Sequence, residues 1–346
     1  MEYKNLLSKK GCKVLISGCS TSYNRHPYDD MPRSNATDCG VGMGSWSFRL
    51  RDYLITSDPQ FVYGVDIDFP CEFVYGLDNV SDVPNTAMFE GNVKTLLPCG
   101  DVEFSVPVQN DEIILYLQRR IDSFATFDIE VDGKIVDTDI STLGDEKNFA
   151  GYGLMRIVLP CNKDKKGHTI KFKNIKGNKI TVVGAGAKNI EINMSGRGAQ
   201  TARFFIENFK ERIEKFNPDL FIFNLGANDR DLNPPLVFRK DLSMLLQMVF
   251  ESCPACKMLY LLPPSSCDPE NPEMDYECYS SLHTIEAYDN IIKQVCGELG
   301  NDRIDLLSMR DVFANMEISE WRVDNIHLNR KGNDILFKAV KERLEI

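Results

Sequence analysis

The chain has 346 residues, of which 43% are hydrophobic and 26% are charged, a composition typical of folded globular proteins and too apolar for a disordered one. Its 51 acidic residues outnumber the 40 lysines and arginines, so the formal net charge is −11. This charge argues against nucleic acid or an anionic membrane surface as a partner, because both are bound through basic residues. The length predicts about two domains, or one domain with a large insertion.

The amino terminus, MEYKNLLSKKG, has neither the apolar core nor the small-residue cleavage site of a signal peptide. No stretch reaches the roughly 18 apolar residues of a membrane span. The 11 cysteines are odd in number, which fits free thiols better than a disulfide framework. We therefore expect a cytoplasmic protein, unless a leader precedes this sequence.

The chain begins with an α/β pattern. The short apolar run at residues 12–17 predicts a buried strand. A polar, glycine-rich loop follows, and apolar residues then recur at helical spacing, which predicts a helix over residues 46–56.

From about residue 58 to residue 187 the pattern changes to short alternating runs separated by Gly, Asn, Asp and Pro. Asp132-Gly133 between two such runs predicts a tight hairpin. Seven or more short strands without a helix predict a β-sandwich. The predicted strands are 102–108, 113–117, 124–131, 135–140, 154–159, 169–172 and 180–183.

After residue 188 strands alternate with helices again, which predicts a parallel sheet covered on both faces. The predicted strands are 190–194, 219–224, 257–262 and 303–307, and the predicted helices are 201–215, 238–250, 282–299 and 330–344.

Polar residues follow several of these strands, at the edge where open α/β sheets bind ligands. Ser20 follows the first strand and Asn228 follows the strand at 219–224. Two glycines, Gly196 and Gly198, follow the strand at 190–194. The tetrad Asp324-Asn-Ile-His327 stands just before the last helix.

These residue types suit nucleophilic catalysis. A serine hydroxyl becomes a nucleophile when a histidine accepts its proton, and Asp324 is near enough in sequence to hold the ring of His327. An asparagine side chain and a backbone N–H in a glycine-rich loop can stabilise the developing oxyanion. Each motif taken singly also fits a turn, and Asn329 fits the N-cap of the last helix.

Together and in this order, the motifs resemble those of the SGNH hydrolases, the GDSL esterase/lipase superfamily. Gly226-Ala-Asn-Asp229 matches the family's Gly-x-Asn-Asp block, and residues 324–328 match its Asp-x-x-His block. Gly18-Cys-Ser-Thr-Ser22 matches its first block except at Cys19, where the family has aspartate. We set Cys19 aside as a nucleophile because Ser20 aligns with the family's serine.

The resemblance implies a three-layer, flavodoxin-like α/β domain with a parallel sheet, formed by residues 1–57 and 188–346. An all-β domain of the jelly-roll or sandwich kind, residues 58–187, would be inserted between these two pieces.

The resemblance also implies a role for each site residue. Ser20 would be the nucleophile, His327 the base and then the acid, and Asp324 the residue that orients His327. The oxyanion hole would combine the N–H groups of Ser20 and Gly198 with the side chain of Asn228. Gly196 is the alternative to Gly198.

Two further residues are candidates for substrate contact, Asp229 and Trp321, although Trp321 also fits a core aromatic. The resemblance implies no metal and no cofactor.

We therefore expect a serine esterase that removes acyl groups, O-acetyl groups in the first instance, from a carbohydrate or small-molecule ester. The absence of a long apolar lid segment argues against a lipase. Alternatives are a lysophospholipase or thioesterase of the same fold, and a weakly active glycan-binding protein on a hydrolase scaffold, which the Cys19 departure motivates. We expect no nucleic-acid or membrane partner, and the sequence does not predict the oligomeric state.

Other signals are set aside. Residues 183–189 begin like a dinucleotide-binding fingerprint but lack its third glycine and its helix. Cys253-Pro-Ala-Cys256 has redox spacing but follows a predicted helix, so we interpret it as a turn. The other histidines, His26, His168 and His283, have no acidic partner at informative spacing, and we expect surface or packing roles for them.

Overall fold

The structure is a computed structural model, and it divides the chain into two compact units, Met1–Arg51 with Ile190–Ile346, and Asp52–Asn189. It describes residues 2–19, 45–63, 65–68, 94–96, 102–119, 124–143, 153–177, 179–196, 198–264, 285–300, 302–322 and 327–346.

The strands are numbered in chain order, and among the described residues they alternate with helices only in the first unit. They are β1 (Cys12–Gly18), β2 (Val62–Tyr63), β3 (Val65–Asp68), β4 (Lys94–Leu96), β5 (Val102–Val106), β6 (Glu112–Arg119), β7 (Ala125–Val131), β8 (Lys134–Ser141), β9 (Gly153–Pro160), β10 (His168–Gly177), β11 (Lys179–Gly186), β12 (Ile190–Met194), β13 (Leu220–Asn224), β14 (Lys257–Leu262) and β15 (Ile304–Ser308).

The described helices belong to the first unit, apart from the end of α2, which runs into the second. They are α1 (Tyr3–Leu7), α2 (Trp46–Thr56), α3 (Ala202–Glu207), α4 (Phe209–Arg212), α5 (Ala227–Leu232), α6 (Pro235–Ser252), α7 (Ile285–Gly300), α8 (Met309–Val312), α9 (Ile318–Trp321) and α10 (Arg330–Arg343), with a 3₁₀ turn at Glu214–Phe216.

The first unit is built on a parallel sheet of five strands in the order β12-β1-β13-β14-β15. Counted along the chain within this unit, that order is 2-1-3-4-5, the flavodoxin-like arrangement, so the predicted α/β class with a parallel sheet is confirmed. Because the winding direction changes at β1, the carboxyl ends of β1 and β13 flank the switch point where such sheets bind ligands.

Both faces of this sheet are buried, as the continuous apolar runs predict for a parallel sheet. On one face, Leu15, Phe223 and Tyr260 join side chains of α3, α6 and α7 in a single core. Phe223 packs edge-on against Phe205 and Tyr260, with ring centroids 5.4 and 5.7 Å away. The strand residues that alternate with these, among them Ile16 and Ile222, are also fully buried.

The single helix predicted over residues 201–215 is wrong: the segment is broken into α3, α4 and the 3₁₀ turn. The break lies at Asn208, whose φ and ψ of −111° and 24° are not helical. Its side-chain amide donates to the Phe204 carbonyl at 2.8 Å, and its backbone N–H donates to the same carbonyl at 3.0 Å. Helix α6 also begins earlier than predicted, at Pro235, because proline is well suited to the first helical position.

The second unit contains a four-stranded antiparallel sheet, β5-β10-β7-β8, and a second sheet in the order β4-β3-β11-β6-β9. Side chains from both sheets, such as Phe172 and Leu115, form one hydrophobic core. Between Phe61 and Asn189 the described residues form strands, turns and bends but no helix. That residues 58–187 form an independent inserted domain stays a prediction.

Two local predictions in this unit are confirmed. Asp132 and Gly133 make the β7–β8 turn with positive φ of 51° and 84°, as a two-residue hairpin requires. Residues 183–186 lie within strand β11, so the glycines there do not open a helix as a dinucleotide-binding loop would.

His168 has an acidic partner that its sequence spacing did not reveal. The buried ring lies with Nδ1 2.6 Å from Oδ2 of Asp132, while Lys165 and the backbone N–H of Thr169 reach Oδ1 at 2.8 and 3.1 Å. Burial alone would raise the pKa of Asp132, but these partners outweigh it and lower the pKa to about 2.

Within the described residues, no helix has both the length and the apolar character needed to cross a bilayer.

We predict that Asp132→Asn lowers the free energy of unfolding by about 1–3 kcal/mol at pH 7, since charge-assisted hydrogen bonds are lost. Asparagine tolerates positive φ, so the turn itself is preserved. Because the pKa of Asp132 is depressed in the folded state, its contribution is present above pH 4 and is lost as the pH falls towards 2. Urea unfolding at pH 7 and pH 2.5 checks this, and a destabilisation of equal size at both values contradicts it.

Candidate active site

The carboxyl ends of β1 and β13 are joined through one buried asparagine, Asn224. The Cys19 N–H donates to the Asn224 carbonyl at 3.1 Å, and the Cys19 thiol donates to Asn224 Oδ1 at 3.5 Å. Asn224 Nδ2 in turn donates to the Leu261 carbonyl of β14 at 2.8 Å. The turn that leads directly into Ser20 is therefore fixed to two neighbouring strands, although Ser20 itself lies outside the described residues.

These hydrogen bonds also give a structural role to Cys19, which stands where the first sequence block of the SGNH hydrolases has aspartate. Its side chain is 1% exposed and faces a protein acceptor. A buried thiol in this position serves to hold the turn and is poorly placed to attack a substrate.

The segment after β13 needs glycine at its first turn. Gly226 has a φ of +116°, in the region that favours glycine, and a Cβ there would lie 3.2 Å from the Ile292 side chain. Gly226 is the residue before α5, so this turn places Asn228 on the first turn of that helix.

Asn228 contacts the loop that follows β12. Its Nδ2 donates to the Gln200 carbonyl at 3.0 Å, and Gln200 Nε2 donates to the Gly198 carbonyl at 3.3 Å. An amide NH₂ has two hydrogens, so one remains for a ligand oxygen. The structure thus brings together Asn228 and Gly198, two of the predicted oxyanion donors.

The two candidate glycines lie in different environments. Gly196 is buried directly after Ser195, whose N–H still continues the sheet ladder with the Ile16 carbonyl at 3.0 Å. Gly198 is half-buried in a turn completed by Ala199, which has a positive φ of 57°. This placement favours Gly198, but the choice of donor stays a prediction.

Asp229 is fully buried, and protein donors already face its carboxylate. It accepts from the N–H of Ala202 at 3.0 Å and from Asn233 Nδ2 at 3.2 Å. Burial raises the pKa of Asp229 to about 7, while these two hydrogen bonds lower it and the nearby Asp241 raises it. Direct substrate contact, which the sequence predicted for Asp229, conflicts with this burial.

The residues that follow His327 are bonded to the end of α9. Arg322 and Leu328 form an antiparallel bridge, and the Asn329 N–H donates to the Trp321 carbonyl at 2.9 Å. His327 is half-buried, and Asp324 lies outside the described residues. Asn329 caps α10 by accepting from the Gly332 N–H at 2.9 Å, as predicted.

A second buried asparagine, Asn333, joins the residues that follow His327 to the start of α2. Its Oδ1 accepts from the Trp46 N–H at 3.0 Å, and its Nδ2 donates to the carbonyls of Leu328 and Asn329 at 3.2 and 2.9 Å. The residue after His327 is thereby fixed to the helix that follows the Ser20 segment. Asn333 was not among the predicted site residues, because its only signal in the sequence is a polar residue on the apolar side of a terminal helix.

Trp321 fits the core interpretation rather than an open substrate wall. The side chain is 4% exposed and stacks on Phe313, with ring centroids 4.2 Å apart and an interplanar angle of 3°. Its indole N–H has no hydrogen-bond partner among the described residues.

Neither a metal cluster nor a reactive dithiol competes with this site in the part of the chain that is described. There, no group of three or more His, Cys, Asp or Glu side chains could hold a metal ion. Burial raises the pKa of both Cys253 and Cys256, the opposite of what a reactive dithiol needs.

Gly332 offers a test of how closely α10 packs against the end of α9. A Cβ on Gly332 would overlap the Trp321 carbonyl oxygen, which accepts from the Asn329 N–H. We predict that Gly332→Ala lowers the free energy of unfolding by about 1–3 kcal/mol, the usual cost of overpacking.

The matched control is Gly297→Ala on α7, where a Cβ meets nothing within 4 Å. That change should stabilise by about 0.5–1 kcal/mol through helix propensity alone. Thermal and urea unfolding of both variants measure the difference, and equal effects would show that the close approach at Gly332 is unimportant.

Comparison with known proteins finds a family that matches part of the chain. Residues 181–335 match the GDSL-like lipase/acylhydrolase family, a stretch that includes Gly198, Asn228 and His327 but not Ser20. No curated protein sequence matches the chain.

Solved structures with a similar fold include a peptidoglycan O-acetylesterase, 11% identical, over 99% of this chain and 95% of that one, with a TM-score of 0.44. They also include an acetylxylan esterase from Geobacillus stearothermophilus, 17% identical over 45% of this chain and 73% of that one, with a TM-score of 0.37. A GDSL-like lipase from Bacteroides thetaiotaomicron is 15% identical over 44% of this chain and 75% of that one, with a TM-score of 0.36. Folds this similar carry different chemistries, so the conclusion rests on the family match. Residues 181–335 match the GDSL-like lipase/acylhydrolase family, and the chain is a hydrolase that acts on ester bonds.

Proposed function

We propose that the protein is a serine esterase that removes short acyl groups, acetyl in the first instance, from a carbohydrate ester. The observation that carries the proposal is the contact between Asn228 and the Gly198 loop at the switch point of the sheet, within a domain of this family. The contact supports the proposal because Gly198 follows β12 and Asn228 follows β13, the two strands that pair with β1, and Ser20 follows β1.

In the proposed mechanism, His327 accepts the hydroxyl proton of Ser20 as the oxygen attacks the acyl carbonyl, and Asp324 holds the imidazolium that forms. The carbonyl π electrons move onto oxygen, and the negative charge is stabilised by the Asn228 side chain and the N–H groups of Ser20 and Gly198. Collapse expels the sugar oxygen, which takes the proton from His327. Water then repeats the sequence on the acyl-enzyme and releases the carboxylic acid.

The acyl and sugar parts of the proposal have separate support. The sequence holds no long apolar lid segment, which favours a short acyl chain over the long chain of a lysophospholipid. The carbohydrate part rests on analogy with esterases that carry an accessory β-sandwich. We accordingly propose that residues 58–187 form an inserted all-β domain.

Hydrolysis of 4-nitrophenyl esters tests the proposal. We expect hydrolysis of the acetate ester, a loss of at least about 10³-fold in kcat/KM for Ser20→Ala and for His327→Ala, and little change for the control His283→Ala. A Ser20→Ala variant as active as the unmodified protein would refute the proposed nucleophile.

Chain length and sugar substrates separate the alternatives. The acetate ester should be cleaved faster than the octanoate and palmitate esters, and acetate should be released from acetylated oligosaccharides. A strong preference for palmitate would instead support a lysophospholipase or thioesterase, and glycan binding without Ser20-dependent turnover would support a binding protein.

A further inference from the structure

We propose that Asp229 is a positioning residue, which fastens the loop carrying Gly198 to the helix carrying Asn228 and so fixes the two oxyanion donors relative to each other. This inference rests on the proposed function and adds a residue to which neither the family match nor the mechanism above gives a role.

The first observation is a helix cap supplied from another element. Helix α3 begins at Ala202, and the residue in its N-cap position, Thr201, makes no side-chain capping hydrogen bond. The Ala202 N–H donates instead to Asp229, at 3.0 Å to Oδ1 and 3.3 Å to Oδ2. The first N–H groups of a helix need an acceptor, and a carboxylate at that end also complements the helix dipole.

This contact acts at short range on the proposed oxyanion hole. Ala202 is two residues after Gln200, whose carbonyl accepts from Asn228, and Asn228 directly precedes Asp229. Two successive side chains of α5 thus bind two backbone groups at the end of one loop. With both contacts present, the end of the Gly198 loop cannot move away from α5 without breaking two hydrogen bonds, of which the one to Asp229 is buried.

The second observation is that Asp229 is itself held from the opposite side. Asn233 Nδ2 donates to Asp229 Oδ1 at 3.2 Å, and the Asn233 N–H donates to the Asp229 carbonyl at 2.7 Å. The Tyr288 hydroxyl on α7 donates to the Asn233 carbonyl. Asp229 is therefore the middle member of a chain of contacts from the core helix α7 to the Gly198 loop.

The test compares three variants with the unmodified protein by steady-state hydrolysis of 4-nitrophenyl acetate, with unfolding measured on each. Asp229→Ala removes both contacts and should lower kcat about 10- to 100-fold while KM changes less than about threefold, since a mispositioned oxyanion hole weakens binding of the transition state more than binding of the substrate. Asp229→Asn keeps an oxygen at the Oδ1 position and should recover most of kcat. The control Thr201→Ala changes the residue in the N-cap position and should leave kcat within about twofold.

A merely structural role gives a different pattern, in which Asp229→Ala unfolds at lower temperature yet keeps kcat within about twofold well below its Tm, and this overturns the inference. If Asp229→Ala does not fold, Asn233→Ala replaces it: a loss in kcat at unchanged KM supports the inference, and unchanged kcat overturns it.

Ser20→Ala separates this inference from the proposed function. Ser20-dependent hydrolysis with no effect of Asp229→Ala overturns the positioning role alone. Absence of Ser20-dependent hydrolysis in the unmodified protein overturns both.

Discussion

The site depends first on the hydrogen bonds that Asn224 makes at the carboxyl edge of the parallel sheet. Its backbone carbonyl and its side-chain oxygen both accept from Cys19, and its side-chain nitrogen reaches the next strand at Leu261. In a sheet of this strand order, the ends of β1 and β13 flank the point at which the winding reverses among the described strands. The hydrogen bonds of Asn224 hold the end of β1, from which the chain continues to Ser20.

Two other buried polar side chains also join separate segments of the site by hydrogen bonds. Asn333 joins the residue after His327 to the start of α2, and Asp229 joins the end of the Gly198 loop to α5. Each side chain is fully buried, and each replaces water with protein donors or acceptors. Buried polar groups satisfied in this way fix one arrangement of the surrounding loops, because any other arrangement leaves a desolvated group without a partner.

Much of the fold could be predicted from the sequence, because its signals are local. Apolar runs predicted the five strands of the parallel sheet, Asp132-Gly133 predicted a hairpin, and Asn329 fitted a helix cap. The broken helix after Thr201 was not predictable from periodicity, since the non-helical φ and ψ of Asn208 do not alter the apolar pattern.

The candidate site could be predicted only in part. Motif spacing identified Asn228 and Gly198, which the structure links through Gln200, and His327, whose neighbour Leu328 pairs with Arg322. The supporting contacts could not be predicted, because Trp46 and Asn333 are 287 residues apart and only the fold makes them neighbours. The roles of Ser20 and Asp324 stay predictions from the family resemblance.

The most direct test of the central claim is to find which atom of the protein becomes acylated or phosphonylated. A fluorophosphonate probe, followed by peptide mass spectrometry, should label Ser20 at about one equivalent per chain. Labelling should be lost in Ser20→Ala and in His327→Ala and retained in Cys19→Ala, because a hydroxyl activated by histidine is the group that such probes modify. Labelling of another residue, or undiminished labelling of the Ser20→Ala variant, would contradict the account.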